Sequence, residues 1–316
     1  MKKKILICGA TGFIGRNLLE HFVDKDEYDI RAVWNNTIND DWVKDEVEWV
    51  RADLTKKEDV KKVVKGVDII LQYAAVTTGV KDVVNKPHIH ITDNAIMNSL
   101  LFREAFEQKV KHFIFPSCTV MYQSSGTPVK ETDFNESDDV YPKYYGGANT
   151  KIYLEKMCKF YSDIGETKFT VLRQSNIYGP YDKFNLDVGH VFAATMVKIS
   201  ESKKSIDVWG TGEEERDLLY VSDLVKCVDN VIKNQTSKFE LFNVGCGKSI
   251  SISNLVKKML GISGKKLYIK YDESKPTIKT KLAVNSDRIK KLFNWVSKVS
   301  LDDGIKKTFK WYEKNK

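Results

Sequence analysis

The first fifteen residues constrain the fold of this chain more than any other stretch, because a short apolar run leads there into a glycine-rich turn. Residues 5–8 are apolar, and glycines follow at positions 9, 12 and 15. Such a run is typical of a buried parallel strand, and glycines at this spacing let the backbone turn tightly and approach a pyrophosphate. A helix beginning near Phe13 would point its unpaired N–H groups at the phosphates. The predicted dinucleotide-binding residues are Gly9, Thr11, Gly12, Phe13, Ile14 and Gly15.

Beyond the turn, signals for strands and helices alternate as far as residue 173. Strands are predicted over residues 30–34, 47–50, 68–71, 112–116 and 169–173, and helices over residues 56–64, 93–108 and 149–164. This alternation predicts an α/β fold, a doubly wound parallel sheet of the Rossmann type whose ligands bind at the carboxyl ends of the strands. After residue 177 the elements become shorter and less regular. We therefore expect a cofactor-binding domain over residues 1–175 and a smaller C-terminal substrate-binding lobe over 176–316 that shares some elements with the sheet.

Composition and charge exclude several other classes of protein. A chain of 316 residues with 42% hydrophobic and 30% charged residues has a globular composition. Its net charge of +8 comes from scattered lysines without a basic stripe, which argues against a nucleic-acid partner. Five separated cysteines without a CxxC pair argue against disulfides and zinc, so no metal is expected. The first apolar run is too short for a signal peptide and no stretch is long enough for a membrane span, so we expect a cytoplasmic protein without a membrane partner.

The end of the second predicted strand bears on the choice of cofactor. An acidic residue there would bind the ribose of NAD, and an arginine there would favour NADP. Asn35 and Asn36 stand at this place instead, and either amide could bind the ribose. NAD is the expected cofactor, and the choice of NADP stays open.

The ends of the third and fourth strands add further residues to the predicted cofactor site. Asp53, followed by Leu54, could accept a hydrogen bond from the adenine amine, or it could cap a helix that starts at Thr55. Ala74 and Ala75 follow the fourth strand, and residues this small would let the backbone pass close to the cofactor.

The later motifs extend the pattern over nearly the whole chain. They are Ser117 with Cys118 at a strand end and residues 176–180, 208–212, 216–217 and 272–276. Together with the glycine turn they resemble the extended short-chain dehydrogenases of the NAD-dependent epimerase/dehydratase family, which act on nucleotide sugars, and the second half is most similar to the GDP-L-fucose synthase type. The resemblance implies a nucleotide-diphosphate pocket lined by Asn176, His190, Val208 and Arg216. A guanidinium suits a diphosphate, although Arg216 could instead form a surface ion pair with a glutamate among residues 213–215.

The resemblance implies a nucleotide-sugar oxidoreductase. Hydride would pass between nicotinamide and carbon 4 of a GDP-linked hexose or heptose in surface-polysaccharide synthesis, and the enzyme would be a 4-dehydrogenase, an epimerase or a reductase. A dehydratase is disfavoured, because Thr119 and Val120 stand where such an enzyme carries its acid and base. The resemblance also implies a homodimer formed through the helices at 93–108 and 149–164. Their apolar surface would come from Phe102, Phe106, Tyr153, Met157 and Phe160.

The chain departs from the resembled pattern at the catalytic positions. That pattern has a tyrosine four residues before a lysine, which binds the nicotinamide ribose and lowers the pKa of the tyrosine. Lys151 matches the lysine, but Gly147 stands where the tyrosine should be. The catalytic serine or threonine of the pattern is replaced by Cys118, which lies between Ser117 and Thr119.

Three interpretations of this departure stay open. In the first, Tyr144 or Tyr145 replaces the missing phenol. On a continuous helix Tyr144 would lie ~10 Å from Lys151 along the helix axis. The glycines at 146 and 147 are expected to precede or end the helix, however, so that a tyrosine in the preceding loop could fold back to the nicotinamide. Ser117, Cys118, Thr119 or water could serve instead. In the third interpretation the chain binds or senses a nucleotide sugar without catalysing a reaction.

Overall fold

A seven-stranded parallel sheet forms the centre of the molecule. The computed structural model describes residues 2–36, 44–77, 84–275 and 277–316. The spatial order of the strands is β3-β2-β1-β4-β5-β6-β10, and each pairing is parallel. This order confirms the predicted doubly wound α/β fold. The strands are β1 (Lys3–Cys8), β2 (Tyr28–Trp34), β3 (Val47–Arg51), β4 (Ile69–Gln72), β5 (His112–Cys118), β6 (Lys168–Gln174) and β10 (Phe239–Val244).

Helices cover both faces of this sheet, which explains why its strands are nearly continuous apolar runs. Alternate residues of a strand point to opposite faces. Ile5 and Ile7 accordingly pack in the layer that contains α1 and α6, whereas Leu6 packs in the layer that contains α2, α3 and α4. The helices are α1 (Phe13–Lys25), α2 (Lys57–Val64), α3 (Thr92–Glu107), α4 (Tyr145–Ile164), α5 (Val191–Glu201), α6 (Val221–Asn234), α7 (Ile252–Ser263), α8 (Asp287–Phe293) and α9 (Leu301–Asn315).

The second half of the chain builds a smaller lobe with its own core. Strand β9 pairs with β7, β11 and β13, while β8 pairs with β12. Helices α5, α7 and α9 pack around these strands through a separate apolar cluster. The chain also returns to the large sheet, since α6 packs against α1 and β10 pairs with β6. The strands of the lobe are β7 (Asn176–Tyr178), β8 (Ser205–Trp209), β9 (Glu215–Tyr220), β11 (Ser249–Ser251), β12 (Tyr268–Asp272) and β13 (Lys281–Leu282).

Helix α4 begins earlier than the sequence predicts. It starts at Tyr145 rather than near residue 149, so the expectation that Gly146 and Gly147 precede or end the helix is wrong. Two glycines lower the intrinsic helix propensity. Here a short 3₁₀ turn over Pro142–Tyr144 leads directly into the first turn, where the Thr150 hydroxyl donates to the Gly146 carbonyl at 2.9 Å.

Two negative findings concern the described part of the chain. No described helix combines the length and the apolar character that crossing a membrane requires. The described residues also contain no group of three or more His, Cys, Asp or Glu side chains placed to hold a metal ion.

Candidate functional site

The turn between β1 and α1 leaves no room for side chains at two of its glycines. Gly9 has φ +69°, and a Cβ atom there would lie 2.7 Å from the Ala74 Cα. A Cβ atom on Gly15 would lie 2.0 Å from the Gly9 carbonyl oxygen. Gly12 stands at the N-terminal cap of α1, and Thr11 is half-buried in the turn. The turn is therefore a bare backbone cradle at the positive end of a helix, which fits the pyrophosphate of a dinucleotide.

Other predicted cofactor residues lie at the same carboxyl edge of the sheet. Ala74, against which Gly9 packs, follows β4, and Ala75 next to it is exposed. Phe13 and Ile14 instead direct their side chains against the apolar core below α1. They can contribute to the cofactor site through the backbone of the first helical turn.

The residues after β2 and β3 would lie at the adenosine end of the cofactor. Asn35 and Asn36 are both exposed after β2. The Arg51 guanidinium lies 5.4 Å from the centre of the Trp34 ring, and its Nε donates to the Asn35 carbonyl at 3.2 Å. This places a cation beside the two asparagines.

Asp53 closes a tight turn instead of capping a helix. Its Oδ1 accepts hydrogen bonds from the Thr55 hydroxyl at 2.7 Å and the Thr55 backbone N–H at 3.0 Å, and these bonds lower the pKa of Asp53. Helix α2 starts at Lys57 with Lys56 at its cap, so the capping interpretation is wrong. Leu54 is buried in the core, which leaves only its backbone for a cofactor contact.

Lys151 lies on α4 and reaches the carboxyl end of β5. Its Nζ donates to the Pro116 carbonyl at 2.7 Å and lies 4.6 Å from the centre of the Phe115 ring. Burial lowers the pKa of Lys151, while the nearby Cys118 and Glu155 oppose that decrease.

The three candidates at the end of β5 point in different directions. The Ser117 hydroxyl is buried and donates to Glu155, which forms an ion pair with Arg173 at 2.6 Å. Ser117 therefore belongs to a buried polar network rather than to an open site. Burial raises the pKa of the Cys118 thiol, and Lys151 opposes part of that increase. Thr119, one residue beyond the strand, lines a cavity of about 50 Å³.

The two candidate tyrosines differ in where they point. Tyr145 is 67% exposed. Tyr144 lines the small cavity and also a neighbouring cavity of about 610 Å³. Burial raises the pKa of Tyr144, and the positive charge of Arg216 opposes part of the increase. A Cβ atom at Gly147 would meet no atom within 4 Å, so the place of the missing tyrosine is open space.

The large cavity is lined by all four residues of the predicted nucleotide-diphosphate pocket. Its lining includes Asn176, His190, Val208 and Arg216. The Asn176 amide donates to the Asp217 carbonyl at 3.2 Å, and Asn176 and Arg216 also line the small cavity. His190 stands at the cap of α5 and is exposed at the edge of the cavity. The two cavities therefore adjoin each other at Tyr144, Asn176 and Arg216.

Backbone carbonyls hold the Arg216 side chain in place. Its Nη1 donates to the carbonyls of Thr280 and Glu215, each at 2.8 Å, and its Nη2 donates to the Ile278 carbonyl at 2.9 Å. Arg216 thus contacts the backbone of Glu215. This geometry does not support the alternative of a surface ion pair with residues 213–215.

Sequence reasoning did not select several other cavity residues. Lys198 is one of them; it lies on α5, donates to the Asp207 carbonyl at 2.7 Å and has its Nζ 5.4 Å from the centre of the Trp209 ring. Its position two helical turns after His190 could have identified it, because residues eight apart share a helix face. Trp209, Glu214 and Lys275 also line the cavity. Pro276, the last residue of the 272–276 motif, lies outside the described residues.

Comparison with known proteins identifies the family. The family model described as NAD dependent epimerase/dehydratase family matches residues 5–245. The chain belongs to this family. It is similar to GDP-L-colitose synthase of Yersinia pseudotuberculosis, with 26% identity covering 99% of each chain, and to GDP-L-fucose synthase 1 of Arabidopsis thaliana, with 30% identity covering 83% of each. Its fold matches the crystal structure of a UDP-glucose 4-epimerase from Thermotoga maritima with UDP-glucose, with a TM-score of 0.86, 23% identity and 99% of each chain covered.

Family membership confirms the predicted class of enzyme and its cofactor. The protein is an NAD(P)-dependent enzyme of the class to which nucleotide-sugar epimerases and reductases belong, and NAD is the cofactor that the family description names. The bare glycine cradle between β1 and α1 has the shape and the helix end that this cofactor requires.

Proposed function

We propose that this enzyme transfers hydride between nicotinamide and carbon 4 of a GDP-linked hexose or heptose, with Tyr144 as the residue that exchanges the proton. The position of Tyr144 carries the proposal, since this tyrosine borders both adjoining cavities. The small cavity lies beside Thr119 and Ser175, directly after β5 and β6. This is the edge of the sheet at which ligands of doubly wound folds bind.

Each part of the cofactor has residues suited to it. The glycine turn and the first turn of α1 would hold the pyrophosphate, and Lys151 would hold the nicotinamide ribose. NAD supplies the hydride acceptor when it is bound. Lys151 donates to the Pro116 carbonyl at the carboxyl end of β5, so its ammonium is already directed to this edge.

The large cavity suits a nucleoside diphosphate. Arg216 is fixed by backbone carbonyls and borders the cavity, where its remaining N–H groups could pair with phosphate oxygens. Lys198 and Lys275 add positive charge to the lining. Relatives named for GDP-linked sugars match the chain over nearly its whole length, which supports a GDP-linked substrate. A place in surface-polysaccharide synthesis is part of the same proposal.

Tyr144 is the better of the phenol candidates for the proton transfer. Tyr145 points to solvent, and the Ser117 hydroxyl is already bound to Glu155. Tyr144 is half-buried at the junction of the cavities, and the charge of Arg216 would stabilise its phenolate. Thr119 could hydrogen-bond the same sugar oxygen from the small cavity.

Single-turnover nicotinamide absorbance tests this function. The purified protein would be mixed in turn with GDP-, UDP-, dTDP- and CDP-sugars. We expect a change with GDP-sugars, and we expect Tyr144→Phe to slow it by roughly 10²- to 10⁴-fold, the usual contribution of an acid–base group. Tyr145→Phe is the matched control and should leave the rate unchanged. If Tyr144→Phe retained the full rate, Tyr144 would not be the proton-transfer residue; if no sugar nucleotide gave a change although one bound, the chain would be a binding protein without catalysis.

We further propose that the protein forms a homodimer through α3 and α4. Phe102 was expected on this surface but is buried in the core. Phe106 and Met157 are half-buried. Tyr153 and Phe160 are exposed, and so are three apolar side chains that were not expected there: Ile96, Tyr145 and Ile164. Such a cluster on adjacent helices is typical of an interface.

Sedimentation velocity tests the dimer. Phe160, which is 49% exposed, would be changed to Glu, and we expect the dimer to dissociate because the charge would be buried at the interface. Leu292→Glu is the control, since Leu292 is equally exposed on α8. A wild-type monomer at micromolar concentration would contradict the proposal.

A further inference from the structure

Glu214 is a buried carboxylate without a hydrogen-bond donor among the described residues. Its side chain is 6% exposed, neither carboxylate oxygen has a partner there, and the residue lines the large cavity. The backbone carbonyl of Glu214, in contrast, accepts a hydrogen bond from the Ile252 N–H at 2.9 Å. In the side chain, both carboxylate oxygens lack a donor among the described residues.

Asp217, three residues further along, shows what a structural carboxylate looks like in the same region. It is 2% exposed and accepts backbone N–H groups from Cys246 at 2.9 Å and from Gly247 and Val284 at 3.2 Å each. These bonds join three chain segments, so Asp217 serves the fold. Glu214 makes no comparable bonds, although leaving a buried charge without donors is costly. A ligand that brings donors would remove this cost.

We propose that Glu214 is a specificity-determining residue whose carboxylate receives two neighbouring hydrogen-bond donors of the nucleoside of the substrate. This inference rests on the proposed function, in which the large cavity binds a nucleotide sugar. The diphosphate cannot be the partner of Glu214, because like charges repel, and Arg216, Lys198 and Lys275 line the cavity to attract it.

The nucleoside offers two sources of paired donors. Guanine presents N1–H beside its 2-amino group, and ribose presents its 2′- and 3′-hydroxyls. Either pair matches the two oxygens of a carboxylate. Uracil presents a single N–H between two carbonyls, which a carboxylate would repel. A guanine contact would therefore also select the base.

Thr277 lies near Glu214 at the wall of the large cavity. A Cβ atom built on Gly210 would lie 2.7 Å from the Thr277 methyl and 2.9 Å from Glu214 Oε1, so both side chains flank the same point. Thr277 also lines the large cavity. The Glu214 carboxylate therefore lies close to a side chain that faces the cavity.

Calorimetric binding of three nucleotides tests the inference. GDP, IDP, which lacks the 2-amino group, and 2′-deoxy-GDP would be titrated into the wild type, Glu214→Gln and the control Glu213→Gln, whose glutamate is exposed. We expect the wild type to bind GDP at least about 10-fold more tightly than the analogue that lacks the contacted donor, because a bond to a charged group is lost. Glu214→Gln should weaken GDP binding by about 10- to 100-fold and abolish that difference, whereas Glu213→Gln should bind as the wild type does.

The pattern of losses identifies the donor and separates the possible failures. Weak binding of IDP alone points to guanine, and weak binding of 2′-deoxy-GDP alone points to ribose. Equal affinity of the wild type for all three nucleotides would overturn the inference even if the variant did not fold. The inference would also be overturned if Glu214→Gln weakened the binding of all three nucleotides equally. In those cases the proposed function would stand; failure of the wild type to bind any nucleoside diphosphate would overturn both.

Discussion

The cofactor side and the substrate side of this molecule use glycine in opposite ways. A Cβ atom at Gly15 would collide with the backbone of Gly9 at 2.0 Å, whereas a Cβ atom at Gly147 would meet no atom within 4 Å. Backbone contacts therefore require a glycine at position 15. No contact among the described residues requires a glycine at position 147, although Gly147 stands where the resembled pattern has its catalytic tyrosine. Glycine in a motif thus has two physical meanings, and only the structure separates them.

Carboxylates on the two sides also differ, in whether they have hydrogen-bond donors. On the cofactor side, Asp53 accepts two hydrogen bonds from Thr55. On the substrate side, both oxygens of Glu214 and the Oδ2 of Asp182 are buried without partners among the described residues. The Oδ1 of Asp53 is therefore satisfied before any ligand binds, although the Tyr73 hydroxyl, next to Ala74, is buried without a partner among the described residues. The substrate side holds polar groups whose donors must come from elsewhere or whose charge must be neutralised.

The largest expected effect comes from filling the cradle. Gly15→Ala should abolish NAD binding or weaken it more than about 100-fold, because the new methyl group would force the Gly9 carbonyl out of the turn that approaches the pyrophosphate. Fluorescence titration with NAD measures the loss, and circular dichroism reports whether the sheet persists. Gly261→Ala is the control, because Gly261 lies in α7 where a Cβ meets nothing within 4 Å. Normal NAD binding by Gly15→Ala would break the comparison.

A smaller effect, a gain of activity rather than a loss of binding, is expected from replacing Gly147. In the Tyr144→Phe background, Gly147→Tyr should restore activity by about 10-fold or more, because the new phenol would lie one helical turn before Lys151 with open space around its Cβ. Single-turnover nicotinamide absorbance measures the recovery. Gly147→Phe is the control, since it adds the ring without the hydroxyl. Equal rates for the two variants would mean that position 147 cannot supply the proton-transfer group.

The sequence predicts the cofactor side better than the catalytic side, for a physical reason. The Rossmann sheet and the glycine turn follow from local patterns, since the spacing of Gly9, Gly12 and Gly15 itself sets the backbone path. The choice between Tyr144 and Tyr145 depends on the start of α4, which two glycines obscure. The demand of Glu214 for donors depends on what surrounds it in three dimensions. Such a property leaves no local pattern in the sequence.

The smallest effect concerns Asp182, the second carboxylate of the substrate side without a full set of partners. Its Oδ1 accepts the Lys183 N–H at 2.7 Å, its Oδ2 has no partner among the described residues, and burial raises the pKa of Asp182 to about 7. Between pH 4 and 7 the unfolded chain has lost this proton and the folded chain has kept it, so Asp182 makes the fold less stable as the pH rises.

Asp182→Asn should remove this pH-dependent cost. We expect its melting temperature to equal that of the wild type near pH 4 and to exceed it by several degrees at pH 8, which corresponds to roughly 1–4 kcal/mol. Thermal melts across this range measure the difference, with the exposed Asp139→Asn as control. A difference that stays constant with pH would mean that Asp182 is ionised in the folded protein and has donors. The contrast between the two sides would then rest on Glu214 and the glycines alone.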